Sequence, residues 1–514
     1  MTVFVKRMAG GLAASALACA GTLAAAGPED DTLRVAFAEE ILNLDYNYTT
    51  KREYILLADL IDEGLFGYDP ETNDYVPSVA TGYDYVDDLT VDVDLREGVT
   101  FHDGTELTPA DVAYTYNWVI AEASEAQAKG TIERWLDRAE VLDADTVRFH
   151  LSAEYPLVIR DLARRVRIRP EGTYHDENGD PVQDAMATEH NGLGPYRVVS
   201  FSPGEEVVLE RFEGYHAESP KNPIDIGNMV IRNIPDLGTQ QAELMSGGID
   251  WMFKMSRDVA ESMGAAPDVD HVTSTDLRIG FLVLDAFGHT DPDGPLTDKR
   301  VRQAMNHAVN RSEIAEFLMG GGSQPVHTAC HPAQFGCTQQ VPIYDHDPER
   351  ARALLAEAGY ADGFELELWS YRDKAIAEAV VADLEEIGID VSLRHVKLAS
   401  LNEARANREI EAYFGTWGSG GTPDTAAIAR VHFNDTSDRN MSNDPAVVED
   451  VLAAEVTGDQ EARRRLYEKA LTTIAEEAYW VPLVSYAQNF LVASDVDFPT
   501  YQDGLPRLYR ASWK

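Results

Sequence analysis

The sequence predicts an α/β protein, and three observations carry that prediction. Short segments alternate as half-buried strands do: in LTVDVDL, Leu89, Val91, Val93 and Leu95 share one side, and Thr90, Asp92 and Asp94 the other. Fully punctuated helices lie between such segments. Asp347 caps, Pro348 takes the first turn, Ala351, Leu354, Leu355 and Ala358 form an apolar stripe, and Gly359 ends the run. Finally, ELELWSY, AIAEAVVADLEEIG and DVSLRHV read as a β-α-β unit over residues 360–397.

In chain order, LRVAF from Leu33 reads as the first strand, and Asp45, Tyr46, Asn47 and Tyr48 as a loop presenting polar and aromatic groups. YILLADLIDEGLF follows as a helix, with Ile55, Leu56, Leu60 and Ile61 near helical spacing. Thr108, Pro109 and Asp111 combine a hydroxyl cap, a first-turn proline and an early acid, opening a helix through Tyr114 and Trp118. TVRFHL from Thr146, EEVVLERF and MVIRNI read as strands, and Thr239 to Ser246 as a helix. Val301, Ala304, Met305 and Ala308 stripe another helix, and Asn310 with Glu313 resembles a capping box opening the next. No internal repeat is present.

The N-terminus predicts export. Lys6 and Arg7 precede an apolar run from Met8 to Leu23, and Ala24, Ala25 and Ala26 supply the small residues of a signal-peptidase site, with cleavage expected before Gly27. As an anchor the run is short, rich in Ala and Gly, and followed by Glu29, Asp30 and Asp31. Cys19 has Ala16 three residues before it rather than the Leu usual at a lipidation site. No later uncharged apolar run reaches the ~18 residues needed to span a bilayer.

At 514 residues the chain has length for about three domains, and 44% apolar content suits a filled core. The formal charge of −45 repels nucleic acid and anionic lipid, and being spread over the chain it speaks to solubility rather than to a site. Outside the leader only Cys330 and Cys337 remain, with six residues between them; in an exported chain they read as one local disulfide. The alternative is a zinc cluster of His327, Cys330, His331 and Cys337, whose spacing is not a standard one.

The candidate site centres on AYFGTWGSGGTPDTAA, residues 412–427. Gly415, Gly418, Gly420 and Gly421 let backbone groups approach a ligand, and Trp417 offers a flat apolar face. An ordinary glycine loop with Trp417 packed into a core is the competing reading.

EGLF at Glu63, LREGVTFHDGTELTPADVAYT from Leu95, GLGPY at Gly192, GGID at Gly247, DKRVRQAMNHAVNRSEI from Asp298 and YDHDPERARALLAEAGYADGFELEL from Tyr344 follow one another behind a signal peptide. In that order they resemble the extracytoplasmic solute-binding proteins of the peptide and nickel class, family 5, which serve ABC importers. The resemblance implies a type II periplasmic-binding-protein fold, two lobes around a cleft with an extra inserted domain. By the same resemblance, residues 32–75, 190–280 and 480–514 form lobe I, 76–189 the inserted domain and 283–479 lobe II.

Peptide binders of this class place, three residues after a Trp, an aspartate that pairs with the peptide amine. Here that position falls on Gly420, or on Ser419 counting back from Pro423 and Asp424, so the carboxylate is missing unless Asp424 replaces it. The ligand contacts expected are Trp417, Gly418, Ser419, Gly420, Asp424 and Tyr46, with Arg372 near the family's carboxylate-binding arginine and Trp251 after GGID where the family exposes a side chain. A solvated arginine and a core tryptophan are the competing readings for the last two.

No HExxH, GxSxG or GxxxxGK occurs, so no enzyme, metal or cofactor is expected. The expected function is a monomeric periplasmic protein capturing an oligopeptide, dipeptide or peptide-like solute for membrane permease subunits. An opine, oligosaccharide or metal chelate is the alternative cargo, and an exported hydrolase the remaining class.

Overall fold

A computed structural model describes residues 27–49 and 51–514. The expected signal sequence lies outside them. Among the described residues no helix is long and apolar enough to cross a membrane.

The framework is a ten-stranded mixed sheet. Its centre is an antiparallel pair of long strands, Val269–Leu284 and Trp480–Ala493, whose register shifts twice, between Asp276 and Ile279 and between Ile279 and Phe281. On one side of this pair lie Ala412–Trp417, Glu365–Ser370 and Asp390–His395; on the other lie Trp251–Phe253, Thr32–Phe37, Asn228–Asn233, Glu206–Arg211 and Tyr196–Ser202. The two long strands therefore belong to both halves, and the shifts fall where one half gives way to the other. Each half has its own apolar core, one around Val35, Ile231 and Trp251, the other around Leu282, Leu368 and Phe414. A separate four-stranded antiparallel sheet, from Ala80–Asp87 to Thr146–Leu151 in sequence, packs on helix Pro109–Ile120 over a third core that runs from Leu65 to Leu193.

The strongly patterned elements form where the sequence puts them. Val91, Val93 and Leu95 are buried on one face of Thr90–Leu95, while Leu89 sits in the preceding turn and is exposed. Thr108 and Asp111 close a capping box, with Thr108 N donating to Asp111 Oδ2 at 2.7 Å. Glu365–Ser370 and Asp390–His395 run parallel across helix Lys374–Glu386, the expected β-α-β unit.

Two elements differ from expectation. The helix read as Tyr54 to Phe66 spans Arg52–Ile61 and stops at Asp62, which turns extended and buries its carboxylate against Arg169. Gly64 then passes so close to the Ala163 carbonyl that a Cβ would lie 2.2 Å from its oxygen, which requires an unbranched, non-helical path. Asn310 does cap Glu313, yet the turn it opens widens into a π-helical stretch, Ile314–Met319, ended by Gly320 at φ 59°.

Candidate functional site

Strand Ala412–Trp417 is buried along most of its length and pairs antiparallel with Ile279–Leu284, which delivers its C-terminal end to the junction of the two halves. Beyond Trp417 the chain turns sharply, with Ser419, Gly420 and Gly421 all left-handed at φ 52°, 57° and 70°. Glycine adopts this conformation freely and serine does not, so the turn needs its glycines and something to hold Ser419. That holder is Gln334, whose Nε2 donates to Ser419 Oγ at 2.9 Å. A Cβ on Gly420 would meet nothing within 4 Å, whereas one on Gly421 would sit 2.5 Å from Leu505 Cδ1 of the C-terminal segment.

Gly418 is needed for a different reason. Its φ of −105° suits any residue, but a Cβ there would lie 2.7 Å from Nη2 of Arg278. Arg278 leaves the long strand at its irregular point and donates Nη1 to Thr416 Oγ1 at 3.0 Å. Its guanidinium thus lies over the glycine backbone. Asp276 Oδ2 is 3.8 Å from Arg278 Nε and 3.6 Å from Arg52 Nη1, and accepts from Gln488 Nε2 at 2.7 Å. Arg372 lies over the Tyr486 ring at 5.8 Å and donates Nε to Asp373 Oδ2 at 2.7 Å, the same oxygen that takes the Tyr486 hydroxyl hydrogen at 2.7 Å.

Arg52, Arg278 and Arg372 therefore converge with Asp276 and Asp373 between them, an excess of positive charge in a chain of net −45. Burial pushes the Arg278 pKa down; Asp276 opposes this, and Arg372 and Arg52 push it down further. A carboxylate brought among these three would relieve that repulsion, and guanidinium groups bind carboxylates through paired hydrogen bonds.

A cavity of about 1060 Å³ lies between the smaller sheet's region, where Tyr75, Tyr155 and Arg160 line it, and Phe335, Pro423 and Arg463 opposite. Glu154 Oε1 accepts from Gly458 N at 2.9 Å, a direct contact between the facing sides.

Of the residues expected from sequence, Trp417, Gly418, Ser419 and Gly420 form the turn beside Arg278 and Arg372 lies near the same guanidinium, while none of the five lines the cavity. Asp424 lines the cavity, but Arg463 donates to both of its carboxylate oxygens at 2.8 Å. Its charge is already matched, so the idea that it clamps a ligand ammonium is corrected. Trp251 is fully buried among Phe253, Phe490 and Phe498 and does not reach the cleft. Tyr46 is buried beneath Arg167, whose guanidinium is 5.2 Å from its ring, while its neighbours Asp45 and Asn47 anchor Arg169 and Arg167 N. Cys330 and Cys337 are bonded to each other, which removes both thiolates from the zinc alternative. Among the described residues no group of three or more His, Cys, Asp or Glu is placed to hold a metal ion.

Arg52, Arg278 and Gln334 were not singled out from sequence. Arg278 sits in TSTDLRIG, where nothing distinguishes it from a surface arginine. Gln334, between the two cysteines, had a usable signal: it is a polar residue inside a covalently closed loop.

A mixed sheet crossed by two long strands shared between its halves is the type II periplasmic-binding-protein fold. The chain belongs to the bacterial extracellular solute-binding proteins, family 5, whose middle region matches residues 74–439. It is 27% identical over 479 residues to the glutathione-binding protein GsiB of Salmonella paratyphi A, covering 88% of this chain and 89% of that protein. It is 25% identical over 470 residues to heme-binding protein A of Haemophilus influenzae, covering 85% and 82%. Among solved structures it is similar to the ABC transporter substrate-binding protein CtaP of Listeria monocytogenes, with a TM-score of 0.81 and 21% identity over 94% of this chain and 99% of that one. Its role is that of the solute-binding component of an ABC importer.

Proposed function

We propose that the protein is exported to the periplasm after cleavage near Ala26, and there captures, as a monomer and without catalysis, a small peptide-like solute bearing a carboxylate for its membrane permease. The observation that carries this is the nearness of Arg52 and Arg372 to Arg278, which lies over Gly418 in the turn after Trp417. Glutathione and heme, which give two relatives their names, both carry carboxylates. In this reading residues 32–75, 190–280 and 480–514 form lobe I, 76–189 the inserted domain and 283–479 lobe II, closing around the cavity.

The Asp424–Arg463 pair favours a solute whose end near Trp417 is uncharged. An N-blocked peptide meets that requirement, and so does an opine or a carboxylate-rich metal chelate, which is the second reading. The test is a melting-temperature screen of glutathione, free and N-acetylated dipeptides, opines and iron or nickel chelates, since a ligand that binds only the folded form raises the transition. Carboxylated solutes should raise it, and Arg278→Met should abolish the rise. An unaltered rise in Arg278→Met would overturn the arginine site, and product formation during incubation would overturn the absence of catalysis.

A further inference from the structure

We propose that Gln334 is a positioning residue for solute binding, and that the Cys330–Cys337 bond controls affinity by holding Gln334 against the glycine turn. This rests on the reading that the turn after Trp417 faces the solute. The loop closed by the disulfide carries Gln334 and Phe335 inward, and Gln334 is buried. Its Nε2 lies 2.9 Å from Ser419 Oγ, 3.1 Å from the Thr422 carbonyl and 3.1 Å from the Asp424 carbonyl, so one amide spans the whole turn. Its Oε1 accepts from His331 N at 2.9 Å, which fixes which end of the amide points outward. Next to it Phe335 N donates to the Pro423 carbonyl at 2.9 Å, and Phe335 O accepts from Thr425 N at 3.1 Å.

Packing cannot hold the turn at its apex, where a Cβ on Gly420 would meet nothing within 4 Å. Ser419, left-handed without being glycine, has its hydroxyl held by Gln334 and, among the described residues, by no other side chain. The turn is therefore held from the disulfide loop. Opening the Cys330–Cys337 bond releases that loop into many conformations, and the three contacts of Gln334 are lost together. The glycine turn then loses its fixed relation to Arg278, which lies over Gly418. The cystine touches no solute in this scheme and acts only through Gln334.

Hydrogen exchange of the ligand-free protein tests the first step, comparing the oxidised wild type, the dithiothreitol-reduced wild type, Gln334→Met and the double variant Cys330→Ser, Cys337→Ser. The amides of Gly421, Thr422 and Thr425 should exchange about tenfold faster in all three altered forms, with amides of the long strands unchanged. Calorimetry with glutathione as the probe tests the second step, and its affinity should fall by about tenfold in all three altered forms. Unchanged exchange at those three amides overturns the proposal, and faster exchange with unchanged glutathione affinity overturns the link to binding. If wild-type protein fails to bind glutathione, only that solute is struck out and the calorimetry is run with whichever carboxylated solute raises the melting temperature, while the exchange comparison decides whether Gln334 holds the turn.

Discussion

Asp424 and Arg463 form a two-pronged ion pair, with both oxygens and both terminal nitrogens engaged at 2.8 Å, and both side chains are largely shielded from water. Burial works against the charge on Arg463, and Asp424 more than restores it, raising the arginine pKa above its ordinary value. Asp424 also accepts from Ala426 N at 2.8 Å, opening helix Ala426–Phe433. Removing one partner of such a pair strands the other, so Asp424→Ala should cost about 3–5 kcal/mol of stability, seen as an earlier urea transition. Affinity for a carboxylated solute should persist in the folded fraction. Loss of affinity with unchanged stability would return Asp424 to the role of an ammonium clamp.

Gly418 offers a cleaner probe of the arginine site than any arginine substitution. The backbone at φ −105° accepts alanine, and the new Cβ would press on Arg278 Nη2, the mobile end of a long side chain. Gly418→Ala should leave the melting temperature nearly unchanged while displacing the guanidinium, which weakens carboxylate binding by about 1–3 kcal/mol. Calorimetry and thermal melting on the same preparation separate the two effects. Equal affinity in both proteins would remove Arg278 from the site.

The contrast between Gly418 and Gly420 also marks how far the sequence could be read. Elements specified by local chemistry were legible: the capping box of Thr108 and Asp111 and the left-handed stop at Gly359 need only their neighbours. The cluster of glycines after Trp417 was legible as a tight turn for the same reason. Arg278 was not, because its role comes from pairing across residues distant in sequence, Thr416 and Gly418, and from a register shift that no local pattern encodes. Trp251 and Tyr46 failed in the opposite way: an aromatic residue beside a turn motif reads the same whether it faces a cleft or, as here, a core. Asp424 was visible as an acid, and only the fold brings Arg463 against it.

His102 should make the protein acid-sensitive. Burial pushes its pKa down to about 4, against the pull of the Gly194 carbonyl 3.0 Å from Nε2, and Gly192 N donates to Nδ1 at 3.4 Å. With one nitrogen donating and the other accepting, the ring is neutral in the fold. The unfolded chain takes up the proton near pH 6.5, so it binds more protons than the folded one between there and about 4. This stabilising contribution is complete above pH 6.5 and is lost as pH falls toward 4, roughly 2 kcal/mol of it between pH 7 and pH 5. His331, also pressed to about 4 by burial, acts with the same sign. The difference between wild type and His102→Gln therefore isolates His102: unfolding free energies at the two pH values should lie closer together in the variant by about that amount. An equal pH dependence in both proteins would mean the ring is already protonated in the fold.

Trp417 joins the site to the helix behind it, and two substitutions separate those duties. Its Nε1 donates to the Ala427 carbonyl at 2.6 Å, His432 meets its ring edge-on at 5.3 Å, and the Arg439 guanidinium lies 5.3 Å from its ring. The ring is half-buried, packed against the core behind it and tied at its rim to helix Ala426–Phe433. Trp417→Phe keeps most of the apolar face and deletes the donor, leaving the Ala427 carbonyl without this partner. It should lower stability by about 1 kcal/mol and leave solute affinity nearly intact. Trp417→Ala removes face and donor together, and should in addition weaken binding by about 1–3 kcal/mol through lost stacking area. Urea unfolding and calorimetry on both variants decide the matter. Equal loss of affinity in the two would mean that Trp417 serves binding only by holding the helix, and that the solute lies against the glycine turn and the arginines alone.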